Sequence, residues 1–127
     1  MTKIKGNNVL ITGGASGIGR IMGRIALERG AKCLIIWDIN EASIASTIEE
    51  YKTLGTVKGY KVDVSNSLQV QEVAAKTEKE CGNIDIVINN AGIVANNETF
   101  DKQTIRDIER TMKEVVNLDG CKYTRTN

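Results

Sequence analysis

Short apolar runs alternate with segments of helical periodicity along most of the chain. The apolar runs cover residues 9–12, 33–37, 59–62 and 84–88. Between them, apolar residues recur three and four positions apart, which is the spacing of one helix face. A last pattern of this kind covers 105–115. The β-α-β-α-β-α-β-α order predicts parallel β-α-β units, and right-handed crossovers then place helices on both faces of the sheet.

Several residues predict where these helices begin and end. Asn40 and the segment Ser-Asn-Ser at 65–67 are N-cap residues by type, because their side-chain oxygens accept bonds from the first free N–H groups of a helix. Gly30, Gly55 and Gly82 close the first three helical patterns, and Gly30 stands where a C′ glycine is expected. The first three strands thus form one mononucleotide-binding half of a doubly wound fold, and the fourth strand begins a second half.

Composition limits the classes of protein that this chain could be. Its 127 residues suffice for one domain, and 41% apolar and 26% charged residues are typical of a globular protein. The net charge of +1 lacks the basic excess of a nucleic-acid binder. The longest apolar run, 33–37, is far shorter than the roughly 20 residues that span a bilayer. We therefore expect neither a nucleic-acid partner nor a membrane partner.

Histidine and cysteine usage removes several kinds of site. The chain has no histidine, which excludes His-based triads, His general bases and zinc sites with His ligands. Its three cysteines, Cys33, Cys81 and Cys121, are far apart and form no C-x-x-C pair. A disulfide framework and a metal site are therefore not expected, and reduced thiols predict a cytoplasmic protein.

The glycine-rich segment 12–19, Thr-Gly-Gly-Ala-Ser-Gly-Ile-Gly, separates the first strand from the first helix. At such a junction, free backbone N–H groups and the positive end of the helix dipole face the loop and favour an anion. Glycine lets the backbone approach a pyrophosphate closely, and Gly19 permits close packing of the helix on the strand. The alternative is a loop that uses glycine only to turn the chain.

Asp38 ends the second apolar run, about 20 residues after Gly19. An acid at this place accepts hydrogen bonds from both hydroxyls of an adenosine ribose and repels a 2′-phosphate. No base follows it, since Ile39 and Asn40 come next, and Ser16 in the loop is not a base either. The pattern predicts NAD as the cofactor in preference to NADP. The alternative is an Asp that caps a helix or is simply solvated.

Three motifs, in this order, resemble those of the short-chain dehydrogenase/reductase family. The segment 12–19 resembles the family's T-G-x-x-x-G-x-G signature, and Asn-Asn-Ala-Gly at 89–92 resembles its N-N-A-G. Asp63 and Val64 resemble the pair that follows the third strand and faces the adenine ring. These motifs together are far more specific than a glycine-rich loop alone.

The resemblance implies a fold, a division of the chain and a set of cofactor-binding residues. The fold is an incomplete Rossmann-like α/β protein, a doubly wound parallel sheet of about four strands in the order 3-2-1-4 with helices on both faces. The NAD-binding portion is 1–112, and 113–127 is a divergent C-terminal tail. The phosphate loop would be Gly13, Ser16, Gly17, Ile18 and Gly19; the ribose and adenine would contact Asp38, Ile39, Asp63 and Val64; and Asn90, Ala91 and Gly92 would pass near the nicotinamide side. A structural interpretation of the two asparagines is that their amides satisfy neighbouring backbone groups.

Hydride transfer in the family implies a serine and a Tyr-x-x-x-Lys pair, and neither has a matching position here. The residues four places after the three tyrosines are Gly55, Val64 and Asn127. Asn117, in Val-Asn-Leu-Asp-Gly, resembles the family's catalytic asparagine, but it follows Met112 by five residues where the family has three, so its direction around a helix differs from the family's by about 200°. Asn117 is therefore a catalytic candidate whose direction stays open, and the chain resembles a truncated enzyme.

Two functions from different classes fit these residues. The first is the NAD(P)-binding portion of an oxidoreductase that moves a hydride between NAD and a small-molecule alcohol or ketone. The second is a non-catalytic dinucleotide-binding module that acts through a partner or through self-association, because the apolar strand 84–88 would present an unpaired edge. A methyltransferase-like Rossmann domain is a third alternative, and the Thr-led loop and Asn-Asn-Ala-Gly disfavour it.

Overall fold

The computed structural model describes residues 4–90, which form four parallel strands and three helices. The strands follow one another in the sheet as β3-β2-β1-β4. This confirms the Rossmann-like sheet, with the order 3-2-1-4, that the sequence predicts. The predicted helix at 105–115 and the tail at 113–127 lie outside the described residues. The elements are β1 Asn8–Thr12, α1 Gly17–Glu28, β2 Cys33–Asp38, α2 Glu41–Tyr51, β3 Val57–Lys61, α3 Ser67–Cys81 and β4 Ile86–Asn89.

The central strands are buried on both faces, as their unbroken apolar sequence predicts. Leu34 and Ile36 of β2 pack in the cluster that α1 and α2 cover. Ile35 and Trp37, which alternate with them, pack in the cluster that α3 covers. Helices therefore lie on both faces of the sheet, and the predicted placement is confirmed.

Residues next to the helix ends in the sequence cap or terminate most of the helices. The Asn40 side chain accepts a bond from Ser43 N at the start of α2, and the Asn66 side chain accepts one from Gln69 N at the start of α3. Gly30 follows α1 with a φ of 89°, a left-handed backbone that favours glycine. The helix α2 ends at Tyr51, before the predicted closure at Gly55.

Two strands differ by a few residues from their predicted bounds. The strand β3 starts earlier than predicted, at Val57, and β4 starts later, at Ile86. The segment before β4 is held by Asn8, whose side-chain Nδ2 donates to the Cys81 and Asn83 carbonyls at 3.0 and 2.7 Å. These side-chain bonds act beside a backbone bond from the Asp85 N–H to the Asn8 carbonyl at 3.1 Å, and no apolar pattern could reveal them.

Contacts from α2 fix the position of α1 and of the loop before it. The Thr47 hydroxyl, which is fully buried, donates to the Ala15 carbonyl at 3.2 Å. The Tyr51 hydroxyl donates to the Arg20 carbonyl at 2.8 Å. At Gly59 of β3, an added Cβ would overlap the Ile44 side chain, so α2 lies directly on the strand. Among residues 4–90, no helix has the length and apolar content needed to cross a membrane.

Candidate functional site

The strand β1 pairs with β2 on one side and β4 on the other, so the chain runs outward from β1 to β2 and β3 and then crosses back to the opposite side of β1. Doubly wound sheets bind ligands at the carboxyl ends of the strands, in the crevice where this reversal occurs. A cavity of about 250 Å³ opens there. Its lining residues are Gly13, Ser16, Ile18, Trp37, Asp38, Ile39, Val62, Asp63, Val64 and Asn90.

The structure thus brings together eight of the sequence-predicted site residues around one cavity. Gly17 and Gly19 lie in the first turn of α1 and are not among the lining residues. The predicted residues Ala91, Gly92 and Asn117 lie outside the described part of the chain.

The glycine loop has a backbone that requires glycine at specific positions. Gly13 and Gly17 have φ values of 67° and 55°, in the left-handed region that other residues rarely adopt. The Gly13 N–H donates to the Trp37 carbonyl at 2.7 Å, which ties the loop to the end of β2. An added Cβ at Gly19 would overlap the Gly13 carbonyl oxygen and lie 2.5 Å from Asn90 Nδ2. The loop therefore packs against α1 more tightly than any side chain at position 19 would allow.

The N-terminus of α1 carries no side-chain cap. Its N-cap residue, Ser16, is exposed and makes no side-chain cap bond, and the first turn holds no acidic residue. The first N–H groups of a helix have no partner within the helix, and the helix dipole adds partial positive charge there. Because the cavity includes Ser16 and Ile18, this end of the helix faces space in which an anion fits.

Asp38 is held in place by the backbone on both sides of it. Its Oδ2 accepts from the Ala15 N–H at 3.1 Å, and its Oδ1 accepts from the Asn40 N–H at 3.0 Å. Each oxygen retains a lone pair for a further donor. The carboxylate therefore stands at the mouth of the glycine loop, oriented to accept two hydroxyl groups from a ligand.

Two apolar side chains lie beside this carboxylate at the cavity. Ile39 is 62% exposed and Val64 is 41% exposed, although both are large and hydrophobic. They follow the ends of neighbouring strands, β2 and β3, and both line the cavity. An exposed apolar pair next to a concave surface suits a flat apolar group such as a base.

Asp63 forms a local turn at the other side of the cavity. Its Oδ1 accepts from the Ser65 N–H at 2.9 Å and from the Ser65 hydroxyl at 2.6 Å. These bonds from Ser65 hold the pKa of Asp63 below its usual value. The Asp63 N–H donates to Gln69 Oε1 at 3.0 Å, which joins the turn to α3.

A polar network joins the carboxyl ends of β1 and β4. The Thr12 hydroxyl donates to Asn89 Oδ1 at 2.8 Å and accepts from the Asn90 N–H at 2.8 Å. Asn90 Nδ2 donates to the Gly13 carbonyl at 3.3 Å, as the structural interpretation of the asparagines requires. The buried Asn90 Oδ1 has no hydrogen-bond partner within residues 4–90. Sequence reasoning gave Thr12 no role, and only the register Thr12↔Asn89 reveals it.

Tyr51 and Tyr60, the two tyrosines within residues 4–90, do not line the cavity, and their hydroxyls form hydrogen bonds elsewhere. Tyr51 donates to the Arg20 carbonyl, and Tyr60 donates to Glu80 Oε1. Burial is the main cause that raises the pKa of each hydroxyl above its ordinary value. Neither side chain is prepared to exchange a proton near neutral pH. Among residues 4–90, no group of three His, Cys, Asp or Glu side chains could hold a metal ion.

The fold and this cavity define a Rossmann-like α/β protein with a glycine-rich loop before α1, and comparison with known proteins gives its family. The family model of the short chain dehydrogenases matches residues 7–124. The chain belongs to the short-chain dehydrogenase/reductase family, a family of oxidoreductases. It is 38% identical over 121 residues to 3beta-hydroxysteroid dehydrogenase 2 of Eggerthella lenta, covering 94% of this chain and 45% of that relative.

Solved structures show the same fold with two different cofactors. A short-chain dehydrogenase/reductase from Burkholderia phymatum in complex with NAD has a TM-score of 0.68 and 34% identity, over 73% of this chain and 33% of that one. The RhlG/NADP active-site complex of Pseudomonas aeruginosa has a TM-score of 0.66 and 27% identity, over 72% of this chain and 37% of that one. The chain spans between 32% and 45% of the length of the curated relatives it matches.

Proposed function

We propose that this chain binds NAD and forms the cofactor-binding portion of an oxidoreductase that interconverts a hydroxyl and a carbonyl group. The observation that carries the proposal is the position of the Asp38 carboxylate. The carboxylate lies between the uncapped N-terminus of α1 and the exposed pair Ile39 and Val64. Each of its oxygens accepts a hydrogen bond from a backbone N–H, which fixes its orientation. A phosphate, a ribose and a base follow one another in the same order in a dinucleotide.

The pyrophosphate would lie on the loop between β1 and α1. The N-terminus of α1 supplies backbone donors and partial positive charge. The missing side chain at Gly13 would let the phosphate oxygens approach the backbone. The absence of a Ser16 cap bond fits this role, because a ligand oxygen would take the place of the cap.

The Asp38 carboxylate would select NAD over NADP. It accepts hydrogen bonds from the 2′- and 3′-hydroxyls of the adenosine ribose, whereas a 2′-phosphate in the same place would face a like charge. Ile39 and Val64 would cover the two sides of the adenine, and Asp63 would accept from its amino group. The NAD-bound structure from Burkholderia phymatum supports NAD as the cofactor, whereas the NADP complex of RhlG shows that a similar fold also binds NADP. The preference of this chain therefore needs a direct test.

The cofactor fits the donors and acceptors at the inner end of the cavity. Asn90 Oδ1, which has no partner in the described part of the chain, is a buried acceptor that a hydroxyl of the second ribose would satisfy. When bound, the nicotinamide supplies the carbon that accepts or gives the hydride. Ala91 and Gly92 next along the chain remain predicted cofactor-binding residues, and Asn117 remains a predicted catalytic residue.

The tyrosines of the chain indicate which part of the reaction its residues could perform. The 127 residues contain no tyrosine followed four places later by lysine. We place cofactor binding in 1–112 and the proton-transferring residues of the complete reaction outside these 127 residues. The relative from Eggerthella lenta, a 3beta-hydroxysteroid dehydrogenase by name, supports a secondary alcohol or ketone as the substrate class. The cytoplasmic location stays a prediction from cysteine usage.

A second candidate function is a non-catalytic dinucleotide-binding module that associates with another chain. Within residues 4–90, β4 pairs with β1 alone, so its other edge has free N–H and C=O groups. A second copy of this chain could pair with that edge. Light scattering across a range of concentrations would show association if this proposal is correct, and a monomer throughout would contradict it.

The single tryptophan of the chain provides the test of cofactor binding. Trp37 lines the cavity, so bound NADH would quench its fluorescence by energy transfer. We expect saturable quenching by NADH, displacement by NAD, and weaker displacement by NADP. Tighter binding of NADP, or no saturable quenching at all, would overturn the proposal.

The test of catalysis is NADH formation from a panel of secondary alcohols. General acid–base assistance typically contributes about 10²–10⁴-fold in rate, and an unassisted tyrosine has a pKa of about 10. We expect weak or no turnover by the 127-residue chain at a cofactor concentration that saturates the quenching. Turnover at an ordinary enzymatic rate would contradict the assignment of the catalytic residues to another segment.

A further inference from the structure

Lys61 is the last residue of β3 and lies beside Asp38 in the sheet. The pairing of β2 with β3 places Asp38 opposite Lys61. The Val62 N–H donates to the Asp38 carbonyl at 2.9 Å, so the two backbones are in direct contact at this point. Neighbouring strands are about 4.7–4.9 Å apart, and a lysine stem is longer than this gap.

The two side chains stand on the same face of the sheet. Trp37 and Tyr60, the preceding residues on the two strands, pack on the α3 face. Since side chains alternate along a strand, Asp38 and Lys61 both point to the opposite face. The Asp38 bond to the Ala15 N–H, on the α1 side, is consistent with this direction.

The Lys61 ammonium is available for a ligand. Lys61 is exposed, and within residues 4–90 it makes no ion pair with Asp38 or with any other acid. The Asp38 oxygens accept backbone N–H groups instead. Lys61 does not line the cavity; the register with Asp38 is what places it beside the proposed ribose site.

We propose that Lys61 is a specificity-determining residue that offsets the charge of Asp38 and lets this chain bind a dinucleotide carrying a 2′-phosphate. The inference rests on the proposed function, because it concerns the 2′ position of the same bound ribose. The residues that follow a ribose-binding acid along the chain contain no base here. The base comes instead from the neighbouring strand, 23 positions further on, where only the sheet register brings it close.

The size of the effect follows from the exposure of both groups. A unit charge interacts weakly with a phosphate across solvent, and salt screens the interaction further. We therefore expect removal of the Lys61 charge to weaken NADP binding by about three- to tenfold at low salt. NAD has no charge at the 2′ position, so its affinity should change by less than about twofold.

The test compares Lys61→Met with Lys58→Met in the full chain. Lys58 is on the same strand and is also exposed, but it lies next to Ile35 in the pairing, on the other face and away from Asp38. Both variants lose one positive charge, so only position distinguishes them. Affinities for NADPH and NADH are measured by quenching of Trp37, at low and at high salt.

The same two lysine variants are also made in a protein that carries Asp38→Ser, where NADP binding should be strong enough to measure. Asp38→Ser removes the repelling carboxylate and should tighten NADP binding, and adding Lys61→Met should reverse part of that gain. Adding Lys58→Met to the same background should leave the gain intact.

Each outcome discriminates between the possibilities. A selective loss of NADP affinity in Lys61→Met, diminished by salt, supports the inference. Equal effects of Lys61→Met and Lys58→Met on NADP affinity, or no effect of either, would overturn the inference. If the unmodified chain binds NADH in the same experiment, the proposed function still stands. Absence of NADH binding in the unmodified chain would overturn the proposed function and this inference together.

Discussion

The start of α1 and the start of α3 are the same kind of junction, a strand end leading into a helix, yet they are completed differently. At α3 the Asn66 side chain accepts from Gln69 N, and Asp63 accepts from Ser65. At α1 the Ser16 side chain caps nothing. The α3 junction satisfies its own backbone donors, whereas the α1 junction leaves donors directed at a cavity.

The difference fits the proposal that the α1 junction receives a ligand. A self-capped helix start gains stability from its own side chains. An uncapped start gives up that stability, and its donors become available to an anion. Tight packing of Gly19 against Gly13 holds the α1 loop without a side-chain cap. Side chains of other elements, Thr47, Asp38 and Asn90, also bond to its backbone. Stability at this junction therefore comes from close packing and from neighbouring elements, which leaves the helix donors open for the proposed ligand.

The largest expected effect comes from filling the close contact in the α1 loop. Gly19→Ala would place a Cβ against the Gly13 carbonyl and Asn90 Nδ2. We expect NADH affinity to fall by at least about 100-fold, because the loop must move away from the position that binds phosphate. Quenching of Trp37 measures the affinity.

The matched control for that variant is Gly55→Ala, where the added Cβ would meet only the end of the Leu27 side chain at 3.0 Å. It should bind NADH normally, and circular dichroism should show that both variants keep their secondary structure. Normal NADH binding by a folded Gly19→Ala variant would contradict the claim that close packing at Gly19 shapes the α1 junction for the cofactor.

The next effect concerns the acid that stands at the open junction. Asp38→Ser combined with Ile39→Arg removes a carboxylate and supplies a guanidinium that binds phosphate. We expect the ratio of NADP to NAD affinity to rise by about 10- to 100-fold, since a repulsive charge becomes an attractive one. Competition of NAD and NADP against NADH measures this ratio. An unchanged ratio would place the ribose elsewhere.

A smaller effect separates the two helix caps directly. Asn66→Ala removes a working cap and should lower the free energy of unfolding by about 0.5–2 kcal/mol. Ser16→Ala removes a side chain that makes no cap bond, so it should cost less than about 0.5 kcal/mol. Urea unfolding without cofactor measures both. Equal losses would mean that Ser16 caps α1 in solution.

The smallest effect is on the titration of Asp63. Bonds from Ser65 lower the pKa of this carboxyl group in the folded chain, so the stability that they provide is present above the ordinary pKa of Asp. That stability is lost as the pH falls through the lowered pKa. Ser65→Ala should raise the pKa of Asp63 towards its usual value, which NMR titration of the carboxyl carbon would measure. No change would show that the turn does not hold the carboxylate.

Sequence reasoning predicted those parts of the molecule that depend on neighbours along the chain. The alternation of buried faces in 33–37 follows from an apolar run, and Gly30 and Asn40 mark helix ends through their own backbone and side-chain preferences. The glycine spacing of 12–19 predicted the turn from β1 into α1 in the same way. The bounds of β4 were less accurate, because bonds from Asn8, distant in sequence, hold the segment before it.

The sequence by itself determined the order of strands and helices, the glycine loop and the acid after β2, since each depends on residue type and short-range spacing. Tertiary structure alone decided that Thr12 joins Asn89, that Asn90 Oδ1 is buried without a partner among residues 4–90, and that Lys61 lies beside Asp38. These relations join residues on different strands. The register of a parallel sheet is set by the packing of its buried faces and by its crossover helices, so residues distant in the chain become neighbours only when the whole sheet forms.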